Sequence, residues 1–437
     1  MAFSFSHVCL FGVLVVFILY SLRSSVDRIP GPNYSSGLPI HYPSEETIQS
    51  RSLTDQQCRA AFPGLLKEVD DAVARGPFVQ DAFNPENPLG PVRGRIKDGK
   101  LYILFAEREG DMSKDAVRYR MAVLSQLYRA IITSPTPLPS TTFSLTVSDD
   151  PRSGSWSFAR PARSAISSSQ PPTNHWPMPH FSFWTWPNPL VGPFDAVLSK
   201  ITAIEEATGW GDKVDKAVWR GTMWFSPIGN KDLRKGLVRL GVGKEWADIE
   251  HVREDVKNAT TGVVEKGNKI GIEEFCRYKY VIYTDGVTYS GRLAFHQACA
   301  SVLITPPPTF LQHTTHLLRP LYSPTLSNPP TPHPEWPSYS SSEANVIFVQ
   351  PDWSDLEATI FWLRENPEVA EGIARRGREE VVRRGMFGEA AEACYWRGLV
   401  RGWASVAGGW DGEEEMEGER WEEWSVRGVG NKGGRTR

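Results

Sequence analysis

Positive charge is scarce in this chain of 437 residues, where 48 Lys and Arg are outnumbered by 51 Asp and Glu and the formal net charge is -3. Proteins that follow nucleic-acid phosphates carry a basic surplus, so we expect no nucleic-acid partner. Cysteine is also scarce, and none of the five residues forms a C-x-x-C pair, which argues against a zinc knuckle and a disulfide-rich scaffold. At most two disulfides can form among Cys58, Cys276, Cys299 and Cys394, and buried free thiols are the alternative.

Proline and tryptophan, in contrast, are plentiful, with 34 and 16 residues. A content of 40% hydrophobic and 23% charged residues is typical of a globular chain. The length predicts two or three domains, and the prolines predict long irregular segments.

The amino terminus is apolar. Residues 1–22 carry no formal charge, and a stretch of about 20 such residues can cross a hydrocarbon layer of roughly 30 Å. We predict an uncleaved signal anchor, with a cleaved signal peptide as the alternative, although a basic n-region and a clear cleavage site are lacking. Residues 23–57, rich in Pro, Ser and Gly, predict a stem. Sequons at Asn33 and Asn258 favour a single-pass membrane protein whose body lies in the lumen of the endoplasmic reticulum or Golgi.

Two series of strand and helix patterns follow the stem. In the first, Lys100–Ala106 has strand length, Ser113 opens a stretch of helical spacing, and Thr142–Val147 alternates as a strand, which predicts a unit of a parallel sheet. The second series predicts strands at Ala217–Trp219, Tyr278–Thr284, Val302–Thr305 and Asn345–Val349, a helix near Ser290–Ala300, and helices from Ser354 to about Ala407. The expected fold class is therefore α/β, with two Rossmann-like domains, 58–195 and 196–407, facing each other across a cleft.

Local signals refine this outline. Ser354–Glu357 (SDLE) reads as a capping box, and Asn366-Pro367 predicts the end of one helix and the start of the next. Pro151–Pro193 is too punctuated by proline for regular structure and is predicted to fold over the cleft. Pro306–Ser342 predicts a surface loop, and residues 408–437 predict a disordered charged tail.

The segment Cys276–Thr305 predicts an anion site. A buried strand ends at Asp285-Gly286, a short turn follows, and Ser290-Gly291-Arg292 opens a helix, whose free N–H groups and dipole favour an anion. Arg292 in that first turn opposes the dipole preference, which favours a bound anion. A surface arginine in a salt bridge is the alternative.

This segment resembles glycosyltransferase family 90, the capsule-associated (CAP-type) transferases that include lumenal protein O-glucosyltransferases and fungal capsule xylosyltransferases. The resemblance covers roughly Tyr102 to Trp403. The matching motifs are Tyr278-Lys279-Tyr280, Gly286, Ser290, Arg292 and Ser301–Ile304, with Ala217–Pro227 upstream and Asn345–Gly377 downstream.

The resemblance implies two Rossmann-like domains of the GT-B type that bind a UDP-sugar and invert its anomeric carbon. Inversion in one displacement needs a base for the acceptor hydroxyl and positive groups for the departing diphosphate. The family's pattern places the base at Asp149 in Val147–Pro151 (VSDDP), with Asp150 as the neighbour that could be confused with it and an ordinary turn as the alternative. By the same resemblance, the donor-binding residues are Arg220, Gly221, Thr222, Gly286, Ser290 and Arg292.

Other features bear on the substrates. Met223–Phe225 stands where the glucosyltransferase branch has a second arginine, so the donor sugar stays open, with glucose or xylose expected. Trp184 and Trp186 resemble an aromatic segment beside the cleft that stacks on a sugar, and core packing is an equal alternative. We expect no required metal, because no D-x-D motif precedes a suitable turn and two arginines supply positive charge. His313 and His316 have i,i+3 spacing without an evident third ligand.

The sequence thus predicts a membrane-anchored, lumenal, inverting transferase that moves a sugar from a UDP-sugar to a hydroxyl of a protein or glycan. A non-catalytic sugar- or protein-binding member of the same fold is the alternative. A hydrolase using Asp149 and Asp150 is disfavoured, because adjacent residues at a strand end point apart and cannot flank one glycosidic bond.

Overall fold

The computed structural model describes residues 42–80, 92–107, 112–163, 174–257, 264–326, 335–410 and 413–427. The predicted signal anchor at 1–22, most of the predicted stem and both sequons lie outside these ranges. Within the ranges, no helix is both long and apolar enough to cross a bilayer.

Helices and strands alternate along the described chain. The α-helices are α1 (Glu45–Gln49), α2 (Asp55–Ala61), α3 (Lys67–Val73), α4 (Lys114–Ile132), α5 (Phe194–Ala207), α6 (Leu233–Gly241), α7 (Leu293–Gln297), α8 (Leu356–Glu365), α9 (Pro367–Val381), α10 (Glu389–Val406) and α11 (Trp421–Arg427). The strands are β1 (Phe78–Val79), β2 (Val92–Lys97), β3 (Lys100–Phe105), β4 (Thr141–Leu145), β5 (Ser155–Ser157), β6 (Arg160–Pro161), β7 (His175–Pro177), β8 (Val214–Gly221), β9 (Ala247–His251), β10 (Val256–Lys257), β11 (Val264–Glu265), β12 (Tyr278–Ile282), β13 (Val302–Thr305), β14 (Phe310–Leu311), β15 (Pro320–Tyr322), β16 (Val346–Phe348), β17 (Ala407–Gly408) and β18 (Glu419–Arg420).

Two six-stranded sheets organise these elements. The second sheet has the order β15-β16-β13-β12-β8-β9, and every described pair in it is parallel. The last three residues of β12 and all four of β13 are buried, as expected for a parallel sheet covered on both faces. We call this sheet and helices α5–α9 the second region. The prediction of a mixed α/β protein with parallel strands is confirmed here.

The first sheet, of order β18-β3-β2-β4-β5-β7, is mixed, which corrects one prediction. Strand β2 lies between β3 and β4 and is antiparallel to both, so the predicted strand-helix-strand unit does not form adjacent parallel strands. The prediction omitted β2 because its sequence, Val92–Lys97 (VRGRIK), has only two apolar residues against four polar or small ones. We call this sheet and helices α1–α4, α10 and α11 the first region.

Helix ends follow some of the predicted signals. Ser113 caps α4 by accepting a hydrogen bond from the Ala116 N–H, and α8 ends before Asn366 while α9 begins at Pro367, as predicted. The predicted capping box is wrong. The Ser354 hydroxyl donates to the Asp352 carboxylate, and Glu357 instead accepts from Trp246.

Three segments predicted to be irregular contain sheet strands. β5 and β7 lie within Pro151–Pro193 and complete the first sheet. β15 lies within Pro306–Ser342 and forms an edge of the second sheet, where a leading proline costs no ladder bond. The predicted tail is folded in its described part, because β18 pairs with β3 and Trp421 is buried. These strands have two or three residues, too few to establish a period.

Hydrophobic packing joins the two regions. One continuous core contains Phe143 and Trp156 from the first sheet, Val281 from the second, and Trp396 and Trp403 from α10. A separate core lies between the other face of the second sheet and helices α6, α8 and α9. Helix α10 packs on α3 and α4, so residues 389–406 belong to the first region and not to the predicted second domain.

Two disulfides form in the structure, one in each region. Cys58–Cys394 joins α2 to α10, with Cα atoms 5.6 Å apart, and Cys276–Cys299 joins the residues before β12 to those after α7, with Cα atoms 4.9 Å apart. Both pairings had been left open by the sequence.

Candidate functional site

The turn that follows β12 is closed by its own backbone. The Gly286 N–H donates to the Tyr289 carbonyl at 3.1 Å. A Cβ atom on Gly286 would lie 2.7 Å from that same carbonyl oxygen, so no larger residue fits there without a backbone shift. We call residues 285–292 the donor turn.

A buried carboxyl fixes the start of the donor turn. Asp285 accepts hydrogen bonds from the Thr309 N–H at 2.8 Å and hydroxyl at 3.0 Å, and from the Tyr283 hydroxyl at 3.1 Å. Burial raises the pKa of Asp285 to about 6. The same Tyr283 hydroxyl accepts from the Ser290 N–H at 3.0 Å, so one tyrosine connects both ends of the turn.

The helix after the donor turn is shorter than predicted. It spans Leu293–Gln297, with Arg292 at its amino-terminal cap and without a side-chain capping bond. Because the Ser290 N–H is bonded to Tyr283 and the helix has only five residues, this terminus is more occupied and shorter than the sequence indicated, and the anion site stays a prediction. The candidate site depends on side chains instead.

Two arginine side chains face the donor turn. Arg292 donates from Nη1 to the Arg220 carbonyl at 2.5 Å and from Nε to the Ser290 hydroxyl at 3.4 Å. Arg234, in the first turn of α6, donates to the Thr222 carbonyl at 3.2 Å and lies against Gly286. Burial lowers the pKa of both guanidinium groups, and the charge of Arg292 lowers that of Arg234 further, to about 9. Arg234 was not predicted from the sequence, although it carries the same signal as Arg292, a basic residue in the first turn of a helix.

Arg220, at the end of β8, has other partners. All three guanidinium nitrogens are engaged: Nη2 with the Asp248 carboxylate at 2.6 Å, Nη1 with the Asp248 carbonyl at 2.7 Å, and Nε with the Asn268 carbonyl at 3.2 Å. Its own carbonyl, not its side chain, contacts Arg292. Next to it, a Cβ atom on Gly221 would lie 2.7 Å from the Trp219 ring, so glycine allows this close packing.

Asp149 lies beside the donor turn although it comes from the first region. The Thr288 hydroxyl donates to the Asp149 backbone carbonyl at 2.6 Å. Asp149 is solvent-accessible, and partial desolvation of its carboxyl raises the pKa above the ordinary value of 3.8. Tyr119 is close enough that its pKa is raised by burial and by the charges of Asp115 and Asp149. The adjacent Asp150 is exposed, and its N–H donates to Ser148. The structure thus brings Asp149, Gly286, Ser290 and Arg292 together.

Comparison with known proteins identifies the family. The profile of glycosyl transferase family 90 matches residues 87–328, more than half of the chain. The chain belongs to glycosyl transferase family 90. It is also 23% identical over 207 residues to an O-glucosyltransferase rumi homolog of Anopheles gambiae, across 47% of this chain and 45% of that protein. The match thus spans less than half the length of this curated relative.

The two regions of this family 90 chain meet at His180. A Cβ atom on Gly291 would lie 2.5 Å from the ring of His180, so the imidazole occupies the space that a side chain would need. Burial lowers the pKa of His180 to about 3, and its Nδ1 pairs with the Ser182 hydroxyl at 2.8 Å. Trp186 packs on this imidazole with ring centroids 5.3 Å apart, whereas Trp184 lies under the guanidinium of Arg129. The sequence analysis did not single out His180.

An apolar rim lies next to the donor turn. Trp224, Phe225, Ile228 and Val287 are all exposed, with 62% of the Trp224 surface accessible. The Ile228 N–H donates to the Val287 carbonyl at 3.3 Å, which joins the loop after β8 to the donor turn. Trp224 and Phe225 therefore present exposed apolar side chains beside the donor turn.

The candidate metal ligands have other partners. Among the described residues, Glu205, Cys276 and Cys299 are close enough to share an ion, but both sulfurs belong to a disulfide. His313 packs against Phe183 and Tyr395, and His316 pairs through Nε2 with the Gly64 carbonyl at 2.8 Å. The histidine pair is therefore part of the packing of the first region.

Proposed function

We propose that this chain is an inverting glycosyltransferase that moves a sugar from a UDP-sugar to a hydroxyl of a protein or glycan. The observation that carries the proposal is the contact between Thr288 of the donor turn and the backbone of Asp149. This contact supports the proposal because Asp149, the acid that the family pattern favours as a base, lies next to the turn on which two guanidinium groups converge. Membership of family 90 supports the same class of reaction.

In the proposed reaction the Asp149 carboxylate takes the proton of the acceptor hydroxyl as its oxygen attacks the anomeric carbon. The bond from that carbon to the diphosphate oxygen breaks, and UDP leaves with the electron pair. A raised pKa makes the carboxylate a stronger base, which favours proton transfer. The exposed side chain of Asp149 leaves room for an acceptor.

Positive charge stabilises the departing diphosphate in this scheme. Arg292 is proposed as a direct ligand, with Gly286 and Ser290 shaping the donor turn. Because the Arg220 guanidinium is bonded through all three nitrogens, we propose that Arg220 positions Arg292 through its carbonyl. Gly221 and Thr222 hold the neighbouring backbone. No metal is required in this proposal, since guanidinium groups supply the charge.

The proposal places the body of the protein in the lumen of the secretory pathway, with residues 1–22 as its membrane anchor and a GT-B arrangement of the two regions. Disulfides persist in oxidising compartments, and the structure forms two. The rumi homolog supports an O-glucosyltransferase activity, and glucose and xylose are the donor sugars we propose to test.

A thermal-shift panel on the detergent-purified full chain tests this proposal. The ligands are UDP, UDP-glucose, UDP-xylose, GDP-mannose and ADP, each with EDTA and with manganese. A ligand that binds the folded state raises its stability by RT ln(1 + [L]/Kd), so we expect shifts from the UDP compounds alone and in EDTA. Transfer to a hydroxyl acceptor is then followed by UDP release. A chain that binds UDP-sugars but releases no UDP with any acceptor would favour the non-catalytic alternative.

A further inference from the structure

Arg234 is a buried cation at an unfavourable place in its helix. Only 5% of its surface is accessible, and it lies in the first turn of α6, where the helix dipole disfavours positive charge. Burying a guanidinium is costly unless it is paired or hydrogen-bonded. Its position therefore needs an explanation beyond local helix formation.

The hydrogen bonds of Arg234 are all to neutral groups. Nε donates to the Thr284 hydroxyl at 3.1 Å and to the Asp285 carbonyl at 3.0 Å, and Nη1 donates to the Thr222 carbonyl at 3.2 Å. The Asp285 carboxyl is bonded to Thr309 and Tyr283 instead. No ion pair neutralises Arg234 within the part of the chain that the structure describes.

One nitrogen of Arg234 is left over. Nη2 has no hydrogen bond to a described residue, and it is not among the polar atoms sealed from solvent. It lies 3.7 Å from where a Cβ atom on Gly286 would be, so it faces the donor turn. Nη2 of Arg292 likewise has no hydrogen bond to a described residue and is accessible to solvent.

Other buried arginines differ in this respect. Arg397, with 1% of its surface accessible, also lacks a carboxylate partner, but its three nitrogens donate to Ala130, Leu53, Arg51 and Thr133. Arg220 is likewise fully bonded. Arg397 and Arg220 show that a guanidinium of low exposure can bond through all its nitrogens in this protein, so the unbonded Nη2 groups at the donor turn do not follow from burial alone.

We propose that Arg234 and Arg292 together bind the diphosphate of the donor through their free Nη2 groups. The two cations repel each other, and an anion held between them relieves both that repulsion and the cost of their burial. This assignment rests on the proposed function for the identity of the ligand, but the anion site itself rests on the two side chains.

The experiment compares Arg234→Gln with Arg397→Gln in the detergent-purified full chain. Calorimetric titration measures the Kd of UDP, inorganic pyrophosphate and uridine, and thermal melting verifies folding. We expect Arg234→Gln to weaken UDP and pyrophosphate binding about tenfold or more and to change uridine binding less than twofold. Arg397→Gln should lower the melting temperature and leave all three Kd values unchanged.

The outcomes are separable. Unchanged pyrophosphate and UDP affinity in folded Arg234→Gln overturns the assignment. If that variant does not fold, Arg234→Lys tests the assignment, because a lysine keeps the charge but cannot make the several hydrogen bonds of a planar guanidinium. It should weaken pyrophosphate binding at least about threefold, and unchanged affinity overturns the assignment. A wild-type chain that binds pyrophosphate but no uridine nucleotide contradicts the proposed function alone, whereas one that binds neither contradicts both.

Discussion

The first and second regions differ in how the chain assembles their sheets. The second sheet takes all its strands from Val214–Gly221 to Val346–Phe348, and all its described pairs are parallel. The first sheet takes strands from as far apart as Val92–Lys97 and Glu419–Arg420, and it mixes both directions. A sheet built from consecutive units repeats one local pattern, whereas a sheet closed by a distant segment depends on contacts that no local pattern encodes.

The two regions also differ in what they contribute to the site. The second region supplies the donor turn and both arginines with free nitrogens, and the first supplies Asp149. The proposed division of labour is therefore donor binding in one region and proton transfer in the other. Four predictions would sharpen or break this comparison.

The largest expected effect is on stability and compares the two disulfides. Cys58–Cys394 closes a sequence separation of 336 residues and Cys276–Cys299 one of 23. By the loop-entropy model, replacing the first pair by alanine should cost about 6 kcal/mol and replacing the second about 3 kcal/mol. Chemical denaturation of both double variants measures the difference. Equal losses would mean that the link between α2 and α10 constrains the unfolded chain less than its span suggests.

The next effect is on catalysis. Asp149→Asn should reduce transfer roughly 10³-fold, because the amide cannot accept the hydroxyl proton, while the Kd of UDP stays within about twofold. The matched control is Asp150→Asn, which changes an exposed neighbour and should retain transfer. UDP release and UDP titration measure the two quantities. A larger loss in Asp150→Asn than in Asp149→Asn would reassign the base.

A third prediction concerns pH and the second region. The pKa of Asp285 is raised from 3.8 to about 6, so between these values the folded state binds more protons than the unfolded state. The free energy of unfolding should therefore decrease as pH rises from about 4 to 6, by at most about 3 kcal/mol. Asp285→Asn should flatten this slope, and the exposed Asp150→Asn of the first region should not. Denaturant titrations across that range measure the free energy of unfolding at each pH. An unchanged slope in Asp285→Asn would mean that another group causes the pH dependence.

The smallest effect tests the junction of the two regions. Gly291→Ala would place a Cβ atom 2.5 Å from the buried ring of His180 and should cost about 2 kcal/mol. Gly229→Ala is the control, since a Cβ atom there meets nothing within 4 Å. Thermal melting compares them. If both variants melt like the wild type, the contact between His180 and the donor turn is looser than the structure indicates.

The sequence predicted the second region better than the first for a physical reason. Tyr280–Ile282 and Val302–Thr305 are buried, mainly apolar stretches because both faces of their sheet are covered. Strands β5, β7 and β18 have three residues or fewer and contain Trp, Pro or charged residues, so they resemble loops until their partners are known. The direction of β2 depends on its hairpin with β3, which the search for parallel units did not consider.

The site was predicted in part for similar reasons. Asp149 and Gly286 follow the ends of predicted strands, and Ser290 and Arg292 open the helix predicted after the second of them. They lie close together because strand ends mark the edge of a sheet. Whether a guanidinium is free or already bonded depends on distant partners such as Asp248 and Asn268, which no spacing reveals. The sequence pattern therefore indicated Arg220 as a donor-binding residue and did not indicate Arg234.

The hydrogen bond from Thr288 to Asp149 has a consequence for how specificity evolves. Thr288 contacts the backbone carbonyl of Asp149, so the spacing between the proposed base and the donor turn does not depend on the side chains at 150, 224, 225 or 287. Mutation can therefore change the apolar rim without moving the proposed proton acceptor. Selection for a new acceptor can therefore change the residues of the apolar rim, while the contact between Thr288 and Asp149 keeps the distance from the proposed base to the donor turn the same.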